Sequence, residues 1–71
     1  RLNIRTNNVR NKVDLHLYTL MGKSLRRKAV WGISGSYSTF LDIDGLPAGA
    51  YLLKVIVDGK VYPQKIIVTS P

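Results

Sequence analysis

The chain has 71 residues, 45% of them hydrophobic and spread along its whole length, which argues against disorder and leaves room for a single small domain, residues 1–71. It contains no cysteine, so disulfides, thiolate chemistry and most structural zinc sites are excluded. Eleven lysines and arginines against four acids, all aspartate, give a formal net charge of +7, which favours acidic partners without choosing among nucleic acid, anionic lipid and anionic polysaccharide.

The first part of the chain predicts a short strand and then a hairpin. The opening "RLNIRT" predicts the strand, and "TNNVRN", residues 6–11, is expected to be a linker. In "VDLHLYTL" apolar residues alternate with polar ones from Val13 to Leu17, which predicts a half-buried strand. Its core face is expected to carry Val13, Leu15 and Leu17, and its solvent face Asp14, His16 and Tyr18. Gly22 in "MGK" allows a turn, after which "SLRRKAVW" returns as the antiparallel partner.

The middle of the chain predicts a crossing loop, a strand and a reversal. Residues 32–38, "GISGSYS", contain two glycines and three serines, which is typical of a loop between two sheets. A strand is expected to resume at about Tyr37, and the side chains expected to point inward from it are Thr39, Leu41 and Ile43. Pro47 fixes φ and Gly49 accepts a positive φ, so "GLPAG" predicts a chain reversal.

The last part of the chain predicts a hairpin at the edge of a sheet. "YLLKVIV", residues 51–57, is apolar on nearly both faces, which indicates a central strand. Asp58 and Gly59 follow it, and this pair strongly favours a two-residue type I′ turn. Pro63 cannot donate to a ladder, so the final strand is expected at a sheet edge. About six to seven strands, with turns about every eight to twelve residues, predict an all-β, immunoglobulin-like antiparallel β-sandwich.

Few residues could carry catalysis or hold a metal. His16 is the single histidine, and we interpret it as an ordinary exposed strand residue. Asp44 and Asp58 are interpreted as turn formers. Asp42 and Asp44 together would make only a weak calcium site, because no Asn or Glu stands beside them. We therefore expect no catalytic residue, no cofactor and no metal.

The densest positive cluster is "RRK". Arg26, Arg27 and Lys28 could contact an anion, because platforms for single-stranded nucleic acid interleave basic and aromatic residues. The favoured interpretation is that they project from both faces of an edge strand and discourage edge-to-edge pairing. Trp31 is expected at the core or its rim, and Met21 is expected to fill a gap in the core.

Four stretches taken together resemble one protein family. "LYTLMGK", "LDIDGLPAGAYLLKV", "DGK" and "QKIIV" follow the order and spacing of the C-terminal sorting domain of the type IX secretion system, a bacterial outer-membrane route for surface and secreted proteins. The candidate recognition positions are Tyr18, Gly22, Lys23, Leu46, Pro47, Gly49, Tyr51, Asp58, Gly59, Lys60, Lys65 and Ile66, and Leu41, Asp42 and Ile43 also match.

The resemblance implies a non-catalytic immunoglobulin-like domain that directs an attached protein across the outer membrane. Such a domain would fold in the periplasm in transit, be read by the translocon and shuttle proteins mainly through residues 46–68, and arrive at the cell surface or outside the cell. In the family it resembles, a surface sortase commonly removes the domain and joins the cargo to anionic lipopolysaccharide. The resemblance implies no nucleic-acid partner.

The chain differs from the family pattern at three points. A "YPNP"-like segment usually precedes the first strand, so we expect that segment and the cleavage site upstream of Arg1. Thr19 stands where aspartate is common. The end "VTSP" stands where a terminal basic residue is common, and residues 69–71 are expected to be a linker. This ending leaves two alternatives open, removal of the domain as from ordinary cargo or its retention on a surface component of the secretion machinery.

A hypothesis from another class is a small basic β-sandwich module that binds an anionic glycan or nucleic acid through Lys12, Arg26, Arg27 and Lys28. Its binding would fall steeply as salt screens the contacts. The proline-containing edge strand also predicts self-association, by strand pairing or by swapping between copies.

Overall fold

A computed structural model describes residues 2–69, which form six antiparallel strands and no helix. The strands are β1 (Leu2–Val9), β2 (Lys12–Thr19), β3 (Ser24–Trp31), β4 (Gly35–Leu41), β5 (Gly49–Val57) and β6 (Lys60–Val68). β1 pairs with β4, and the other four strands form a sheet in the order β3-β2-β5-β6. The all-β sandwich is therefore confirmed. Within this range no helix long and apolar enough to cross a membrane is found. Of the linker expected at residues 69–71, only Thr69 lies within the described residues.

Alternate apolar side chains from both sheets make one core. The most deeply buried residues lie on β2, where Val13, Leu15 and Leu17 are each no more than 1% exposed. β5 lies next to β2, as expected for a central strand, and adds Tyr51, Leu53 and Val55. The two-stranded sheet closes the core with Ile4, Val9 and Leu41. The period-two pattern of the sequence therefore predicts the inward faces of β2 and β5 correctly.

The β5–β6 hairpin has the predicted turn. Asp58 and Gly59 have φ angles of 51° and 86°, so both central residues adopt the left-handed conformation that a type I′ turn requires. Val57 and Lys60 flank this turn as a cross-strand pair. β6 pairs only with β5 among the described strands, so Pro63 lies on an edge strand, as predicted.

The prediction of a linker at residues 6–11 is wrong, because most of this segment belongs to β1. Thr6 is 9% and Val9 3% exposed, and they pair with Tyr37 and Gly35 of β4. The ladder shifts register between them, where Asn8 has a φ of 56°. This irregularity turns the Val9 side chain into the core. The asparagines of residues 6–11 suggest a loop and give no sign of this buried position.

The solvent face expected for β2 is more covered than predicted. Asp14 is only 8% exposed, because Ala29 and Ile56 lie directly opposite it on the two neighbouring strands. One carboxylate oxygen of Asp14 lies 3.3 Å from the Lys12 ammonium. His16 is half-buried rather than exposed, and its Nδ1 lies 2.7 Å from the hydroxyl of Tyr18. A strand paired on both sides leaves little room for water over its outer face.

Trp31 does not lie in the core. It is 62% exposed and lies opposite Lys12, whose ammonium is 4.7 Å from the ring centroid. The pairing of Val30 with Val13 places Val30 on the inner face of β3, so the next residue must point outward. The loop before β4 is also shorter than expected, since the strand begins at Gly35.

Candidate functional site

Most of the family-like stretches meet at one end of the sandwich, which we call the motif end. It consists of the β2–β3 turn (residues 20–23), the β4–β5 loop (residues 42–48) and the end of β6 (residues 66–68). The strand register brings these segments together, because Thr19 lies opposite Tyr51 and Tyr51 lies opposite Ile66. Tyr18, Leu52 and Lys65 form the adjacent cross-strand row. The motif "DGK" lies at the opposite end.

Thr19 explains how the β2–β3 turn forms without the common aspartate. Its hydroxyl accepts the backbone N–H of Lys23 at 3.1 Å, and its carbonyl accepts that of Gly22 at 3.0 Å. Gly22 has a φ of 94°, which a side chain would strain. A threonine hydroxyl is a weaker version of the side-chain acceptor that aspartate supplies in turns. The turn is therefore built by its own backbone and one short polar side chain.

Hydrogen bonds between nearby residues hold the stretch "LPAGAY" in a fixed loop. The Tyr51 hydroxyl donates a hydrogen bond to the carbonyl of Pro47, and the Leu46 N–H donates to the carbonyl of Ile43 at 3.2 Å. The Tyr51 ring is buried, with 7% exposure. In immunoglobulin-like sandwiches, a tyrosine at the start of a strand often bonds the upstream backbone in this way. Pro47 and Tyr51 therefore fix the loop that crosses from one sheet to the other.

The carboxylate of Asp58 joins the two turns at the other end. Its Oδ2 accepts the backbone N–H of Arg10 at 2.8 Å, and its Oδ1 accepts those of Asn11 and Lys12 at 2.9 Å each. The Asp58 N–H donates to the carbonyl of Lys12. Hydrogen bonds from the backbones of Lys12 and Arg10 lower the pKa of Asp58 below its ordinary value of 3.8. Asp58 is thus a turn former, as predicted, and also a cap for the β1–β2 turn.

The lowered pKa of Asp58 gives a pH dependence. A carboxyl whose pKa is lower when folded adds stability above its ordinary pKa of 3.8, and this contribution is lost as pH falls through the lowered value. We expect the Tm difference between the native chain and Asp58→Asn to be constant from about pH 7 to about pH 5. The difference should narrow below 3.8. Thermal melts by circular dichroism would measure it, and an unchanged difference down to about pH 2 would contradict this role.

The "RRK" cluster is divided between two faces of the edge strand β3. Arg26 donates to the carbonyls of Asp42 and Asp44 at 3.2 and 3.1 Å, and the Lys28 ammonium lies 2.8 Å from the Thr39 hydroxyl. These two side chains therefore fasten β3 to β4 and to the loop after it. Arg27 lies opposite His16 on the outer face and is exposed. The structure does not bring the three charges together.

Two substitutions separate these roles. We expect Arg26→Ala to lower the free energy of unfolding by about 1 kcal/mol, because backbone carbonyls lose a charged donor. Arg27→Ala is the matched control and should change it by less than about 0.5 kcal/mol. Urea denaturation of the two variants measures the difference, and equal effects would mean that the links from Arg26 to the loop add no stability.

The remaining candidate positions have mixed surroundings. Ile66 is half-buried against the core, and Lys65 is exposed in the row opposite Leu52. Lys60 lies at the far end, with its ammonium 5.5 Å from the centroid of the Tyr62 ring. Ile66 thus contributes to packing, while the two lysines are available to a partner.

The motif end also presents apolar side chains that the sequence reasoning missed. Met21 was expected to fill a gap in the core, and this is wrong because it is 97% exposed. Leu20 beside it is 64% exposed, and Ile67 is 61% exposed. The tight turn places Leu20 and Met21 beyond the ends of the strands, outside the core. A run of two large apolar residues at the tip of a hairpin was the available signal.

The chain matches the family described as secretion system C-terminal sorting domain over residues 1–69. No curated protein and no solved structure matches it. The match covers nearly the whole chain and agrees with the all-β fold. The chain therefore belongs to the secretion system C-terminal sorting domain family, whose members serve as C-terminal signals of type IX secretion for export across the outer membrane to the cell surface or beyond.

Proposed function

We propose that the type IX translocon and its shuttle proteins read this signal as a folded sandwich, and that they contact it at the motif end. The observation that carries the proposal is the exposure of Leu20, Met21 and Ile67 beside the family-like positions. Exposed apolar side chains that cluster on a small domain commonly mark an interaction surface. The β5–β6 hairpin, residues 49–68, supplies one side of this end.

The position where β1 begins supports a second part of the proposal. Leu2 lies opposite Leu41, the last residue before the β4–β5 loop, so β1 begins beside the motif end. An attached protein would therefore leave the sandwich next to the proposed contact surface. We propose that the domain crosses the periplasm folded, and that a surface sortase then cuts upstream of Arg1 and joins the cargo to anionic lipopolysaccharide.

The motif end is tested by exposed substitutions that leave the core intact. The chain is fused behind a secreted reporter in a bacterium that has type IX secretion, and Leu20→Ser with Met21→Ser is compared with Val61→Ser. Val61 is 48% exposed on β6 toward the other end, so it is a matched control. We expect the double variant to lose most surface delivery and the control to keep it, at equal Tm. Equal surface delivery of the two would contradict the proposal.

Removal of the domain has its own measurement. Mass spectrometry of reporter recovered from the cell surface should find the reporter's C-terminus upstream of Arg1, carrying added polysaccharide. Reporter that still ends in the intact chain would contradict sortase processing while leaving the sorting role in place.

A further inference from the structure

The two sheets cover each other unevenly. β4 is fastened to β3 through Arg26 and Lys28, which places the two-stranded sheet over the β3 side of the larger sheet. The inner face of β6 is covered at Ile66 and Val68, which pack against the core, but residues 62–64 are left open. Tyr62 lies opposite the buried Val55 but is 49% exposed, and Gln64 lies opposite the buried Leu53 but is exposed as well.

A groove follows this uncovered face. It has a volume of about 260 Å³ and runs between residues 5–7 of β1 and residues 62–64 of β6, with Val55 and Val57 as its apolar floor. Both strands are sheet edges among residues 2–69. Pro63 removes a donor from the β6 edge, whereas β1 contains no proline. The β1 edge is therefore the one that can accept another strand.

The charges around the groove are positive. Arg5 is the charged residue of the lining, and Lys60 stands on the same face of β6 as Tyr62. The lining contains no acid, and the nearby Asp58 carboxylate already accepts backbone N–H groups. An occupant that complements this groove has apolar side chains toward Val55 and an acidic residue near Arg5.

We propose that the groove takes an extended segment of a partner protein, with apolar side chains toward Val55 and an acidic residue near Arg5, which pairs with the free edge of β1 as a third strand. It would cover Tyr62 and Gln64 and change the sandwich from two strands facing four to three strands facing four. β1 has eight residues, and a paired segment of about that length would span it. This proposal is independent of contact at the motif end.

The test uses the 71-residue chain and a synthetic capped peptide of about eight residues that alternates valine and threonine, with one central glutamate. Hydrogen exchange followed by NMR reports which backbone amides become protected at about 1 mM peptide. We expect new protection at alternate amides of β1 and none at β3 and β6, the two edges of the larger sheet. A peptide with lysine for glutamate should bind about tenfold more weakly at low salt.

Reversing the charge of Arg5 tests whether the peptide binds through this side chain. Arg5 is exposed, so Arg5→Glu should leave Tm unchanged, weaken the glutamate peptide and strengthen the lysine peptide. Protection at β3 or β6, or no protection at all, would overturn the proposal. Protection of β1 that grows with protein concentration in the absence of peptide would also overturn it, because a second copy would then fill the groove.

Discussion

Leu17→Ala is expected to cost about 2–5 kcal/mol of stability and to leave much of the chain unfolded at about 25 °C. Leu17 is fully buried, and its strand β2 is paired with β3 and β5 on both sides. The total stability of a chain of this length is only about 4–11 kcal/mol, at ~0.05–0.15 kcal/mol per residue. One cavity in the centre of so small a core therefore removes a large part of it.

Leu20→Ala is the matched control, since it makes the same chemical change at a side chain that is 64% exposed. It should alter stability by less than about 0.5 kcal/mol. Urea titrations followed by circular dichroism compare the two midpoints. Similar midpoints for Leu17→Ala and Leu20→Ala would show that β2 does not form the centre of the core.

Tyr51→Ala should have an effect of similar size, a loss of about 3–5 kcal/mol, because it empties an aromatic site in the core. Tyr51→Phe keeps the ring and removes only the hydroxyl that donates to the Pro47 carbonyl, so it should cost about 1 kcal/mol. The same denaturation experiment measures both. If Tyr51→Phe cost as much as Tyr51→Ala, the hydroxyl rather than the ring would hold the loop in place.

The two Tyr51 variants also separate a role in folding from a role in recognition. If the family-like tyrosine acts by shaping the β4–β5 loop, a folded Tyr51→Phe chain should still export a reporter, whereas Tyr51→Ala should not. Failure of Tyr51→Phe to export at near-native stability would instead indicate that the export machinery contacts the hydroxyl itself.

Local chemistry accounts for the parts of the fold that were predicted well. Period-two alternation in β2 and β5 is a property of each strand alone, and the Asp58-Gly59 turn depends on two adjacent residues. The errors concern side-chain directions that the pairing between strands decides. Residues 6–11 look like a linker until Val9 is seen to enter the core through an irregularity in β1. The size of Trp31 predicts a core position, yet its place next to the inward Val30 decides its direction.

The candidate site was predictable to a smaller extent. The family-like stretches identify the positions that match the family, but they do not show which of these positions stabilise the fold. The structure assigns such packing or hydrogen-bonding roles to Tyr51, Asp58 and Ile66. Hydrophobicity alone does not identify Leu20 and Met21 as exposed, because the same residue types also fill cores. Their position at the tip of the predicted β2–β3 turn is the signal that does, since this turn lies beyond the sheet.

The most direct measurement is surface delivery of a reporter that ends in this chain. The reporter is directed to the periplasm of two otherwise identical bacterial strains, one with an intact type IX translocon and one without it. Protease accessibility on whole cells then reports location. The chain should carry the reporter to the surface in the first strain and leave it in the periplasm of the second. A folded fusion that stays in the periplasm of both strains, or reaches the surface of both, would contradict the sorting role.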